Sequence, residues 1–469
     1  MQLKKNEKYK GTWWPHNDPE NKIRGELCYS IEKGIELHLD GDFNAASGGA
    51  IFRFNSLLGE LDNKGTQVSL LDCFTSNTTS MGRIRNSVIV SNYLFVGQHF
   101  NSLGDVLIDN YSYSFTDFRK WYRGFDTIFD FGLRDDTSNL SMTYNAPSPT
   151  VITLDSGLEV HFCTRLSECP VSMQEEVLSI KELAYIKFVS KDKMPIADFM
   201  HLQAIFQRFF TLALGNYPNV TEIFFFSKKL DGGYISDIYI DVHYNCYRNS
   251  ENSRKSYHFM PFTFKDIELS ISDKITTWYN FFNKYEDIVN LYFTTVLTER
   301  GFAEIKFLSY AQFLEAYHRR KYSSEDSTNY NKYLLNKFFE KIRERLDDDD
   351  YNKIEESMRF SFEPTFAERL SELFDSCGGN LANEIINFAP HNQMRIKTKE
   401  KCIAECKDAR NYYTHYDKRL SSKVYKGIEL HYFADKIEAF IRYFLYIEIG
   451  FSHEEACNIL GKIYRYNFT

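Results

Sequence analysis

The stretch KITTWYNFFNKYEDIVNL, residues 274–291, sets Trp278, Phe281, Phe282, Tyr285, Ile288 and Leu291 three or four positions apart. That spacing is the period of an amphipathic helix, with one apolar stripe on an otherwise polar cylinder. Upstream the period is two. Glu26-Leu27-Cys28-Tyr29-Ser30-Ile31 and Gly34-Ile35-Glu36-Leu37-His38-Leu39 alternate polar and apolar residues, and β-branched or aromatic runs recur at 87–90, 158–162, 184–189, 222–226 and 237–242. One helix interrupts these strands. It follows Pro195, a suitable first helical residue, and carries Phe199, Leu202, Ile205, Phe206, Phe209 and Leu212 as far as Gly215.

The change of period near Lys274 therefore marks a domain boundary. An α+β chain is expected: residues 1–270 form a strand-rich domain, an antiparallel sheet or sandwich with one clear helix, and residues 271–469 form an all-α bundle. Within the bundle, helices are expected around Phe302–Leu314, closing on His318-Arg319-Arg320-Lys321, then over Tyr330–Leu346 and Pro364–Phe374. The acidic run Asp347–Asp350 ends the first of those two, and Cys377-Gly378-Gly379 follows the second. Ile396–Tyr413 and Gly427–Ile449 make two longer helices, and Ser452-His453-Glu454-Glu455 reads as a capping box for a last one. There are no internal repeats and no low-complexity linker.

Composition narrows the function classes. The chain has 469 residues, 43% of them hydrophobic, enough for two or three domains, and its 41 Phe and 32 Tyr imply ring-filled cores. The start, Met1-Gln2-Leu3-Lys4-Lys5-Asn6, has no secretory pattern, and the most apolar window, Ile437–Ile449, is broken by Glu438, Arg442 and Glu448. A cytoplasmic protein without membrane contact is expected. Nine scattered cysteines fit reduced thiols, and Cys402 and Cys406, four apart on one helix face, lack the second ligand pair that zinc requires. No metal and no other cofactor is expected.

A net charge of -8 argues against a surface coated for nucleic acid, yet one segment departs from it. Between Gln393 and Lys426 stand Arg395, Lys397, Lys399, Lys401, Lys407, Arg410, Lys418, Arg419, Lys423 and Lys426, against Glu400, Glu405, Asp408 and Asp417. Taken alone, such a run fits a solvated helix face. Inside it lies Asp408-Ala409-Arg410-Asn411-Tyr412-Tyr413-Thr414-His415-Tyr416, where an Arg followed by a polar residue precedes a His with four residues between them.

These residue types suit RNA cleavage. RNA carries its own nucleophile, the 2′-hydroxyl, so a catalyst need only move protons and neutralise charge on the phosphorane. His415, an imidazole able to accept and to donate a proton, can serve as general base or acid; Arg410, permanently charged and forked, can hold the scissile phosphate. On a straight helix positions five apart lie about 140° from each other, whereas Asn411 and His415 share a face. So either the helix ends before His415, or Arg410 reaches around, or a second copy completes the pocket. The alternative for Arg410 and His415 is a structural pair at a helix end. Lys407, Lys418, Arg419, Arg319 and Tyr413 are candidate RNA contacts, although Tyr412, Tyr413 and Tyr416 also suit core packing. His391, His431 and His453 are read as structural.

The Arg/polar/His spacing, the helix around Phe313-Leu314-Glu315-Ala316-Tyr317-His318-Arg319, and the opening Gly11-Thr12-Trp13-Trp14-Pro15 followed by a strand pair resemble the ApeA-like HEPN proteins of bacterial anti-phage defence. The resemblance implies a C-terminal HEPN bundle behind a strand-rich N-terminal region. It also implies a homodimer whose two motifs line one cleft, with Arg410, His415 and Asn411 as its working residues. The expected activity is a metal-independent endoribonuclease used in abortive infection, leaving a 2′,3′-cyclic phosphate or 3′-phosphate and a 5′-hydroxyl. RNA, such as tRNA or another RNA with single-stranded loops, is the expected substrate, and a phage-derived trigger the expected activator. A catalytically silent HEPN dimer that binds or signals is the alternative. A third reading makes the N-terminal sheet a carbohydrate or nucleotide binder.

Overall fold

The computed structural model describes residues 3, 6–30, 33–43, 52–81, 84–124, 129–133, 140–144, 146–166, 171, 172, 177, 178, 181–231, 234–244, 259–297, 301–322, 325–358, 363–377 and 398–466. The chain divides into two compact units, Met1–Ser272 and Asp273–Thr469.

In the first unit the strands run β1 (Lys8–Pro15), β2 (Ile23–Ser30), β3 (Gly34–Leu39), β4 (Arg53–Leu61), β5 (Thr66–Met81), β6 (Ile84–Val96) and β7 (Leu107–Phe115). After helix α1 (Phe118–Arg123) come β8 (Phe129–Leu133), β9 (Leu140–Tyr144), β10 (Thr150–Thr153), β11 (Glu159–Leu166), β12 (Val171–Ser172), β13 (Val177–Leu178) and β14 (Glu182–Pro195). Helix α2 (Ile196–Leu214), strands β15 (Val220–Asp231) and β16 (Tyr234–Tyr244), and the short α3 (Phe264–Ile267) complete the unit.

Twelve of these strands form one antiparallel sheet, ordered β10-β11-β14-β7-β15-β16-β6-β3-β2-β1-β4-β5. The sheet is neither flat nor a two-layer sandwich, because β5 pairs back onto β6 and closes six strands into a barrel. The long β6 serves both halves. Its residues 87–91 pair with β3 inside the barrel wall, while residues 93–96 pair with β16 and continue into the open half. The alternation seen in the sequence fills the barrel: Trp13, Leu27, Leu37, Leu57, Leu70, Ile89 and Leu94 make its buried core. Closure gives β5 a second partner and so removes the edge it would otherwise leave unpaired.

On the open half, α2 lays its apolar stripe against β7 and β14, with Phe199 stacked on Tyr111 and Phe206 edge-on to Phe188. Helix α2 begins at Ile196, one residue later than expected, because Pro195 retains the extended conformation of β14. It stops at Gly215, whose φ of 76° suits a residue without a Cβ.

The second unit is helical: α4 (Ile271–Leu297), α5 (Ala303–Lys321), α6 (Glu325–Arg343), α7 (Asp348–Met358), α8 (Phe366–Ser376), α9 (Lys399–His415), α10 (Ile428–Ile449) and α11 (His453–Tyr466). Helix α5 lies against α8, α9 and α10. The acidic run does not end a helix, as the sequence suggested; Asp348, Asp349 and Asp350 open α7, where carboxylates meet the positive end of a helix dipole. The last capping box forms as expected, with Ser452 and Glu455 each accepting from the other's backbone N–H. Residues 378–397, which include Gly378, Gly379, His391, Arg395, Ile396 and Lys397, lie outside the described residues. Among the described residues no helix is long and apolar enough to cross a membrane.

Candidate active site

Helix α9 carries the Arg and the His. Thr398 caps its start by accepting from the Lys401 N–H. Its buried residues Cys402, Cys406, Ala409 and Tyr413 recur every three or four positions and fix the face turned to the core. The helix runs unbroken through His415 and stops there, since Tyr416 takes a left-handed conformation with φ 50° and ψ 39°. A helix ending before His415 is thereby ruled out. Arg410 sits beside the core face, whereas His415 projects from nearly the opposite side and is exposed.

Arg410 turns toward α5. Its Nη2 donates to Glu315 Oε2 at 3.2 Å, its Nη1 donates to Asn411 Oδ1 at 3.3 Å, and the guanidinium lies 5.9 Å from the Phe366 ring centre. With Gln312, Glu315, Arg319, Arg320 and Thr414 it lines an open cleft of about 530 Å³. That volume suits a ligand of nucleotide size. His415 is not among the lining residues, so within one chain the guanidinium does not reach around to the imidazole. Asn411 spends its carbonyl oxygen on Arg410.

The remaining candidates separate into free and engaged cations. Lys407, midway along α9, and Lys418, just past its end, are exposed. Arg419 is held by Asp417, with Nη2 at 2.7 Å and Nε at 3.0 Å, and those hydrogen bonds pull the Asp417 carboxyl down to about 2. The cluster His318-Arg319-Arg320-Lys321, which includes the candidate RNA contact Arg319, is fully matched by carboxylates. His318 faces Glu372 at 2.7 Å, Arg319 faces Glu363 at 3.1 Å, Arg320 grips Asp287 at 2.6 and 3.1 Å, and Lys321 meets Glu448.

Tyr413 is a correction. Expected among the RNA contacts, it is 6% exposed, its hydroxyl donates to the Tyr425 carbonyl, and its ring meets Phe307 edge-on. Its phenol, pushed up to about 12 chiefly by burial, is a packing group with no face left for a base. Cys402 and Cys406 are buried thiols, and among the described residues no cluster of three or more His, Cys, Asp or Glu could hold a metal ion. His431 pairs with Asp435 at 3.7 Å, and His453 hydrogen-bonds Tyr443.

Sequence reasoning missed Glu363 and Arg369, and it gave Glu315 no role. The Glu315/Arg319 spacing of four was a readable signal for a helix-face pair. Glu363 and Arg369 gave none, because their relation to α5 exists only after α8 has packed.

A family model described as ApeA N-terminal domain 1 matches residues 8–278, and one described as Apea-like HEPN matches residues 308–455. The second span holds Glu315, Arg319, Arg410 and His415. No curated protein and no solved structure matches the chain.

Proposed function

The chain belongs to the ApeA-like HEPN family, with the anti-phage, HEPN-type role which that membership carries, and on this footing we propose that it is a homodimeric, metal-independent endoribonuclease. The observation that carries the reading is the placement of Arg410 in an open cleft of nucleotide size while His415 stands exposed at the end of the same helix. HEPN domains commonly bind RNA and pair. Because the two side chains leave α9 in different directions, pairing across a two-fold axis is what lets an Arg410 and a His415 meet at one phosphate.

The chemistry then follows from the groups. The 2′-oxygen loses its proton and attacks the adjacent phosphorus as the bond to the 5′-oxygen breaks, and the departing oxygen takes up a proton. His415 serves one of these transfers, and Arg410 neutralises the charge that grows on the non-bridging oxygens. The products are a 2′,3′-cyclic phosphate, which water opens to a 3′-phosphate, and a 5′-hydroxyl. Asn411, bonded to Arg410, helps hold the fork. The strand-rich unit senses a phage-derived trigger and restrains the nuclease in the cytoplasm.

Incubation with total RNA in EDTA tests this. Wild-type protein should cut, whereas Arg410→Ala and His415→Ala should not; equal cleavage by all three overturns the assignment. In infected cells His415→Ala should abolish protection. A silent HEPN dimer is favoured by one feature, the ion pair that already engages Arg410, and it is the reading left standing if His415→Ala still protects.

A further inference from the structure

The fork meant for the phosphate is already engaged. Arg410 Nη2 lies 3.2 Å from Glu315 Oε2, and the other oxygen of that carboxylate lies 3.8 Å from Arg319 Nη2. Arg319 Nη2 is also 3.1 Å from Glu363 Oε2, the oxygen that lies 3.2 Å from Arg369 Nη2. Arg369 is 2% exposed and rooted in the core, its Nε donating to the Pro364 carbonyl at 3.0 Å and its Nη1 facing His318 Nδ1 at 3.4 Å. Five charges thus alternate in sign from the open cleft to the interior: Arg410, Glu315, Arg319, Glu363, Arg369.

We propose that Glu315, steadied by Arg319, is the positioning residue of the RNA-cleaving site, and that it gives up ground-state RNA affinity in exchange for rate. The inference rests on the ribonuclease reading above. An arginine side chain has many rotamers, and a charge acts on a transition state only where it is already in place. Glu315 supplies that place through a chain anchored on buried Arg369, which an isolated surface ion pair lacks. Its own negative charge sits beside the seat of the phosphate and repels bound RNA. The phosphorane is more negative than the ground-state phosphodiester, so a correctly held Arg410 favours it more strongly. Arg319, expected to contact RNA, acts here through Glu315.

The two consequences move in opposite directions, which a merely structural role would not produce. With a mixed-sequence single-stranded oligoribonucleotide, binding is measured in the His415→Ala background and cleavage with full-length protein in excess. Glu315→Ala should slow cleavage by about 10-fold to 100-fold and tighten RNA binding by about 3-fold, with a steeper salt dependence. Glu315→Gln keeps an acceptor at the same reach without the charge, so it should recover part of the rate and retain the tighter binding. Arg319→Ala should slow cleavage less than Glu315→Ala. An unchanged rate in Glu315→Ala, or a slower rate with equal or weaker RNA binding, overturns the inference. Should Arg410→Ala and His415→Ala cut as fast as wild type, it is the ribonuclease reading that fails; should they be inactive while Glu315→Ala matches wild type, only the role of Glu315 does.

Discussion

The Tyr413 hydroxyl donates to the carbonyl oxygen of Tyr425 at 2.5 Å, fastening the turn that follows α9 to the last coil of the helix bearing Arg410 and His415. Tyr416 leaves the helix in a left-handed conformation, and Tyr425 in turn donates to Glu405 at 3.0 Å, so the turn is tied to α9 at two levels.

Tyr413→Phe removes the donor and keeps the ring. Stability should fall by about 1 kcal/mol in denaturant titrations, with RNA affinity unchanged. A loss of affinity without a loss of stability would return Tyr413 to the RNA-contacting set.

In the barrel, a Cβ on Gly59 would come within 2.3 Å of the Trp13 ring, a contact no side chain tolerates, and Trp13 is fully buried. Gly59→Ala should destabilise by about 1–3 kcal/mol, and combining it with Trp13→Phe should return part of the loss. Additive losses would show that the two positions do not share one space.

His318 sets a pH dependence. Its Nε2–H donates to Glu372 at 2.7 Å and its Nδ1 accepts from Arg369, a pairing that suits the neutral ring, and burial lowers its pKa from the ordinary 6.5. The unfolded chain therefore binds a proton more readily than the folded one below pH 6.5, and stability should fall as pH drops through that value and stay level above it. His318→Gln should flatten the decline in melting temperature between pH 7 and pH 5. A slope equal to that of wild type would exclude His318 as its source.

Burial raises the Cys73 and Cys377 thiols to about 12 and pushes Cys406 well above the ordinary thiol value, while Cys28 and Cys457 are half-buried. Among the cysteines of the described residues, alkylation of the native protein at pH 8 should mark Cys28 and Cys457 before the others and reach Cys402 and Cys406 only on unfolding. Chelators should leave the melting temperature unchanged. Labelling of Cys406 as fast as Cys28 would contradict its place in the core.

The residues alone determined where the chain changes character, because a period of two and a period of 3.6 are properties of neighbouring positions. They also determined the caps at Gly215 and Ser452 and the spacing of Arg410 and His415 on one helix. Tertiary structure decided the rest. Barrel closure depends on β5 meeting β6 along its whole length, and the acidic run became the start of α7 only once a second helix followed it. The surroundings of Arg410 were settled in the same way: Glu315 on α5 and Arg369 on α8 are 95 and 41 positions away from it. Pairing between charges so distant along the chain is set by how helices pack, and local pattern holds no record of it.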